Sequence, residues 1–149
     1  MKNSLYKPIS LLYISLLLVI CGCGRRQVEG IYIGDTLYEH QNLTGNREFC
    51  ILIEHNLKGD PDALRELSEF DCGDGAGCYD LGSVITQIIY RRGEKDFAET
   101  VQQAGPENLP RLKSLVRAGL EYGDQDGDGK ADERSIEETF PLLNEMLAD

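Results

Sequence analysis

Two histidines in 149 residues, His40 and His55, leave little room for chemistry that depends on imidazole. Neither stands in a metalloprotease pattern, and the chain has no nucleophile elbow and no phosphate-binding glycine loop. His55 follows Glu54, but adjacent residues of a helix do not face each other, so His55 reads as a surface residue. Basic residues are also scarce. The chain has 15 Lys and Arg against 26 Asp and Glu, a formal charge of −11. Such a surface repels nucleic acid and anionic headgroups, and suits cations or a basic protein partner. The five cysteines lack the histidine cluster that would complete a zinc site. Carboxylates are plentiful, yet nothing in their spacing selects a glycosidase-like pair.

Long apolar runs are missing too. The N-terminal apolar segment, residues 9–20, is interrupted by Ser10 and Ser15 and is too short to favour a stable bilayer span. With Lys2 and Lys7 ahead of it, the segment reads as a cleaved export signal. It closes on Leu18-Val19-Ile20-Cys21-Gly22-Cys23, which resembles the lipobox of bacterial lipoproteins, with small Gly22 before the cysteine and aliphatic Ile20 three residues before it. The resemblance implies cleavage after residue 22, a lipid on Cys23 and a stable multi-chain anchor in the bacterial cell envelope. Gly24 after the lipid cysteine resembles lipoproteins sorted to an outer membrane where the cell has one. The leader carries two Lys and no acidic residue, so the mature chain is more acidic still. Its length suits one domain with one modest core.

Outside the leader and the lipid site, Cys50, Cys72 and Cys78 remain, in an oxidising compartment if the chain is exported. Cys72 and Cys78 bracket a glycine-rich turn, and we expect a disulfide between them that stabilises by roughly 2 kcal/mol in the chain-entropy model. Cys50, in the apolar run 49–53, then reads as a buried thiol, its pairing with Cys72 or Cys78 being the alternative.

Residues 23–45 read as lipid anchor and tether, with a short extended segment over 28–33, and residues 46–149 as a single α-helical domain. Apolar spacing and stop signals predict helices over 46–58, ending at Gly59, and over 61–70, capped by Asp60 with Pro61 in its first turn. A central helix over 79–92 carries Leu81, Val84, Ile85, Ile88 and Ile89. Helices over 94–104, 107–122 and 135–147 follow. Ser135 and Glu138 have capping-box spacing in the last, and Pro141 must kink or restart it. The expected fold is all-α, a small bundle or stack of five to six short helices. The alternative is α+β, with a strand near 49–53.

One motif carries chemistry. Asp124, Asp126, Asp128 and Asp132 occupy positions 1, 3, 5 and 9 of a loop with Gly129 at position 6. Alternate carboxylates in a tight turn converge on a hard cation, and the Lys130 backbone carbonyl at position 7 would add another oxygen. The stretch resembles the DxDxDG calcium loop of EF-hands, thrombospondin type 3 repeats and dockerin-like repeats, and the helices predicted on either side resemble an EF-hand frame. Position 12, normally a bidentate glutamate, is Ser135. Ser135, Glu137 and Glu138 are the candidate extra ligands. The resemblance implies one structural calcium site with a dissociation constant of about 10⁻⁴ to 10⁻³ M.

These features lead to an expected function as a membrane-anchored, non-enzymatic, calcium-stabilised helical module that binds a protein partner. A protective lipoprotein that neutralises a basic toxin or hydrolase is the alternative, with salt-sensitive association. A cell-wall or glycan-acting enzyme is a second alternative, and it would need a deep pocket joining two carboxylates.

Overall fold

In the computed structural model, which describes residues 26–125 and 127–148, the apolar face read over 79–92 lies on a helix at the centre of the core. Leu81, Val84, Ile85, Ile88 and Ile89 are all fully enclosed, each burial contributing roughly 1.5–3 kcal/mol against an exposed side chain. The leader, Cys23 and Asp126 lie outside the described residues.

The elements run in the order β1 (Gln27–Val28), β2 (Ile31–Tyr32), α1 (Asp35–His40), α2 (Leu43–Leu57), α3 (Pro61–Glu69) and α4 (Gly75–Arg92). They continue with α5 (Glu94–Ala104), a 3₁₀ turn (Pro106–Asn108), α6 (Leu109–Tyr122), α7 (Ile136–Thr139) and α8 (Pro141–Met146). The domain is all-α apart from the two-stranded antiparallel ribbon, in which Val28 pairs with Ile31. The alternative strand near 49–53 does not form: Phe49, Cys50 and Ile53 are buried residues on the inner face of α2.

Local signals act where the sequence puts them. The Asp60 carboxylate accepts the Asp62 and Ala63 amides at 3.0 and 3.3 Å and starts α3. Ser135 accepts the Glu138 amide at 3.3 Å and starts α7. Pro141 restarts the chain as α8 after a break at Phe140, so the helix expected over 135–147 is two short ones. Cys72 and Cys78 are disulfide-bonded with Cα atoms 4.9 Å apart, and Cys50 is buried outside that bond.

The tether expected over 23–45 needs correction. From Arg26 onward the chain is folded against the helices, with Ile31, Ile33 and Leu37 at most 2% exposed. The Gln87 side chain grips β2 from both sides, its Oε1 accepting the Tyr32 amide at 2.8 Å and its Nε2 donating to the Tyr32 carbonyl at 3.0 Å. Asp80 accepts the Leu37 amide at 2.9 Å, and Arg26 pairs with Asp35 and Glu39 while its guanidinium lies over the Tyr38 ring. These contacts satisfy backbone groups of a segment too short to supply its own ladder.

The most extensive helix packing joins α4 to α6, while α1 also rests on α4, α2 on α3 and α5 on α8. Among the described residues no helix is long and apolar enough to cross a membrane.

Candidate metal centre

Helix α6 ends at Tyr122, and a helix end leaves four carbonyls without intrahelical partners. The acidic loop turns back and fills two of them, and bonds the carbonyl of Gly123 just beyond. Asp132 donates its amide to the Gly123 carbonyl at 2.8 Å, Glu133 to Glu121 at 3.2 Å and Arg134 to Leu120 at 3.0 Å. Both ends of the loop are thereby held on one helix terminus. An EF-hand would instead lead into a long exiting helix; here the exit is the single turn α7.

Inside the loop, Asp124 does the organising. One carboxylate oxygen accepts the Asp128 amide at 2.9 Å and the other accepts the Gly129 amide at 2.8 Å, while Asp128 accepts the Lys130 amide at 2.9 Å. Gly129 has φ +82°, the left-handed conformation that position 6 was expected to need. Asp124 and Asp128 are exposed. Asp132 is not: its side chain is 3% exposed, accepts the Gln125 amide at 3.2 Å and lies 3.6 Å from Arg134 Nε.

The extra ligands have other contacts. The Ser135 hydroxyl caps α7, and Glu137 accepts from Arg117 Nη2 at 3.2 Å. The Glu137 carboxyl is held below the usual carboxylate range, first by its own backbone amide and then by Arg117. Glu138 is exposed. Asp126 belongs to the unplaced part of the loop. Among the described residues no three His, Cys, Asp or Glu side chains are gathered as a metal-holding group.

Two features of this region gave no sequence signal. Gln125 sends its Nε2 to Thr86 Oγ1 at 3.0 Å and Ser83 Oγ at 3.3 Å, tying the loop to α4 across 39 and 42 residues of sequence. Beside the loop a groove of about 530 Å³ is lined by Glu121, Tyr122, Glu133 and Glu137 together with Arg117 and Arg134. Tyr122 stacks on Tyr79 at 4.4 Å between ring centroids, and the two rings are 49% and 43% exposed.

No protein-family model matches the chain, and no curated protein or solved structure shows significant similarity to it. The site is therefore interpreted from its own geometry. His55, the other titratable group weighed from the sequence, sits apart from the loop, on α2, with Nδ1 3.1 Å from Asp60 Oδ2, and both side chains are over a third exposed.

Proposed function

We propose that this chain is an envelope lipoprotein anchored through Cys23, whose helical domain is a non-enzymatic, calcium-stabilised module for binding a protein partner. The observation that carries the calcium reading is the hold of Asp124 on the Asp128 and Gly129 amides, with Gly129 in the left-handed conformation. That arrangement bends the loop around one point. Asp124, Asp126, Asp128, the Lys130 carbonyl and Asp132 would supply the oxygens. The carboxylates repel one another in the absence of a cation, so calcium would stabilise the loop and, through its contacts with α6 and α4, the fold.

Ala131 and Glu133 belong to the loop and also line the acidic groove. Calcium would thus hold one wall of the face where a partner docks. The chain's net charge of −11 and the glutamates Glu121 and Glu133 beside the exposed Tyr79–Tyr122 stack favour a basic partner, which supports the second reading, a protective inhibitor of a basic toxin or hydrolase.

Calorimetric titration of calcium into the full-length chain, beside Asp124→Ala/Asp128→Ala, tests the metal reading. Saturable heat lost in the variant, with a calcium-dependent rise in Tm of the parent, supports it. Equal heats in the two proteins would reduce the loop to an acidic turn. Anchoring is tested separately: Cys23→Ser should abolish metabolic labelling with a radioactive fatty acid, and undiminished labelling would overturn it.

A further inference from the structure

Helices α2 and α4 end beside each other, and their last turns bring three cations together. Lys58 follows the last residue of α2, while Arg91 and Arg92 close α4. The three line one side of a groove of about 370 Å³ that also carries Glu29 and Asp96. Arg91 stands on the ridge to a second groove, of about 450 Å³, whose walls include Gln87, Tyr90 and Arg134. None of Lys58, Arg91 and Arg92 has a carboxylate within ion-pair distance among the described residues. In a chain of formal charge −11, with acidic groups in surplus, that is an unusual grouping.

Arg92 is fixed in place. Its Nη2 donates to the Asp96 carbonyl at 3.0 Å and to Thr100 Oγ1 at 2.7 Å, and its guanidinium carbon lies 5.8 Å from the centre of the Phe97 ring. Gly59 makes the space: a Cβ there would stand 2.8 Å from Arg92 Nη2. The Nη1 group is enclosed and has no hydrogen-bond partner. Burial pulls the Arg92 pKa down, and the nearby Asp96 charge offsets part of that pull. Lys58 and Arg91 are exposed and adaptable.

We propose that the groove at these helix ends binds a phosphate-type oxyanion, held by Lys58 and Arg91 beside the fixed charge of Arg92. A planar guanidinium and a mobile ammonium suit a multiply charged oxyanion, because several donors can reach one group from different sides. Cations at helix C-termini also offset the helix dipoles. That role accounts for each residue singly; it does not account for the convergence of two helix ends on one groove.

The oxyanion has two sources, free phosphate and a phospholipid headgroup. The second follows from position: Glu29 of the groove lies six residues after Cys23, so a lipid on Cys23, as proposed above, would hold this face near the bilayer. The experiment uses the full-length chain in an uncharged detergent, with chelator present so that calcium plays no part. One arm titrates inorganic phosphate; the other adds phosphatidylglycerol to the micelles, with phosphatidylcholine as control. Each is repeated with Lys58→Gln/Arg91→Gln, whose exposed side chains leave the core untouched and whose Tm verifies folding.

Saturable phosphate binding weakened about tenfold or more in the variant supports the site with free phosphate as a ligand. Binding confined to phosphatidylglycerol micelles and lost in the variant supports it with a headgroup as the ligand. No saturable binding in either arm, or binding indifferent to the variant, overturns the proposal and leaves the cations as partners of the helix ends alone. The phosphate arm is independent of the lipid on Cys23, so failure there is separate from failure of the anchoring assay.

Discussion

Gly82 of α4 and Gly119 of α6 meet backbone to backbone. A Cβ on Gly119 would stand 2.1 Å from the Gly82 carbonyl oxygen, and one on Gly82 would stand 2.4 Å from the Leu115 carbonyl oxygen and 2.8 Å from the Gly119 nitrogen. No side chain can yield at such a contact, so any larger residue must part the two helices.

Gly82→Ala and Gly119→Ala should therefore each destabilise the fold by about 1–3 kcal/mol in urea unfolding, with a lower midpoint. The sign is the test. In an unhindered helix the same change stabilises by roughly 0.5–1 kcal/mol, so a raised midpoint would show that the helices do not approach this closely.

The helices were legible because their signals are local. Asp60-Pro61 and Ser135 to Glu138 are complete caps within four residues, and the face from Leu81 to Ile89 repeats at helical spacing. The segment 26–45 was opaque for the opposite reason. Its four buried apolar residues, Val28, Ile31, Ile33 and Leu37, are too sparse to show a period, and the groups that secure it, Gln87 and Asp80, lie 55 and 43 residues along the chain from their partners. The acidic loop was legible in its spacing and in the conformation of Gly129. Its attachment was not, since the amide of Gln125 is an ordinary polar side chain until α4 is packed beside it. The burial of Asp132 was hidden likewise, because it depends on the loop folding back onto the end of α6.

The disulfide should be worth about 2 kcal/mol, since it closes a short loop whose glycines are costly to order. Cys72→Ser/Cys78→Ser should lower the unfolding free energy by that amount, read as a lower urea midpoint, and reduction of the parent should reproduce the loss. Gly77→Ala should injure the same turn by another route, because a Cβ there would stand 2.1 Å from the Cys72 carbonyl oxygen. Two serines that left stability unchanged would mean that the turn is fixed by the surrounding packing and by Asp74, which caps α4 by accepting the Gly77 amide at 3.4 Å.

Acid should loosen the N-terminal ribbon before the core. Asp35 is held below the usual carboxylate range by its hydrogen bond with Arg26, and next by the Tyr32 hydroxyl, which donates to it at 2.9 Å. A folded-state pKa below the unfolded one contributes stability that is present above the ordinary carboxylate pKa and is lost as pH falls through the folded value. Protection of the Ile33 amide, which donates to the Arg26 carbonyl at 2.9 Å, should fall as the pH drops below the ordinary carboxylate range, about pH 4, while amides of α4 remain protected. Asp35→Asn should remove that acid-dependent step. A step that persisted in Asp35→Asn would assign it to another carboxylate.

Gln125 should couple the acidic loop to the central helix. Gln125→Ala removes its bonds to Thr86 and Ser83, and neutral side-chain bonds of this kind contribute about 0.5–1.5 kcal/mol each. If the loop must be ordered again before it can close on calcium, that loss falls on the metal, and affinity should drop about fivefold or more. Gln87→Ala is the matched control. It removes two bonds to Tyr32 and two within α4 to Ser83, none of them to the loop itself, so it should lower the urea midpoint while leaving calcium affinity unchanged. Equal effects of the two variants on calcium binding would mean that the metal responds to overall stability and not to the attachment of its loop.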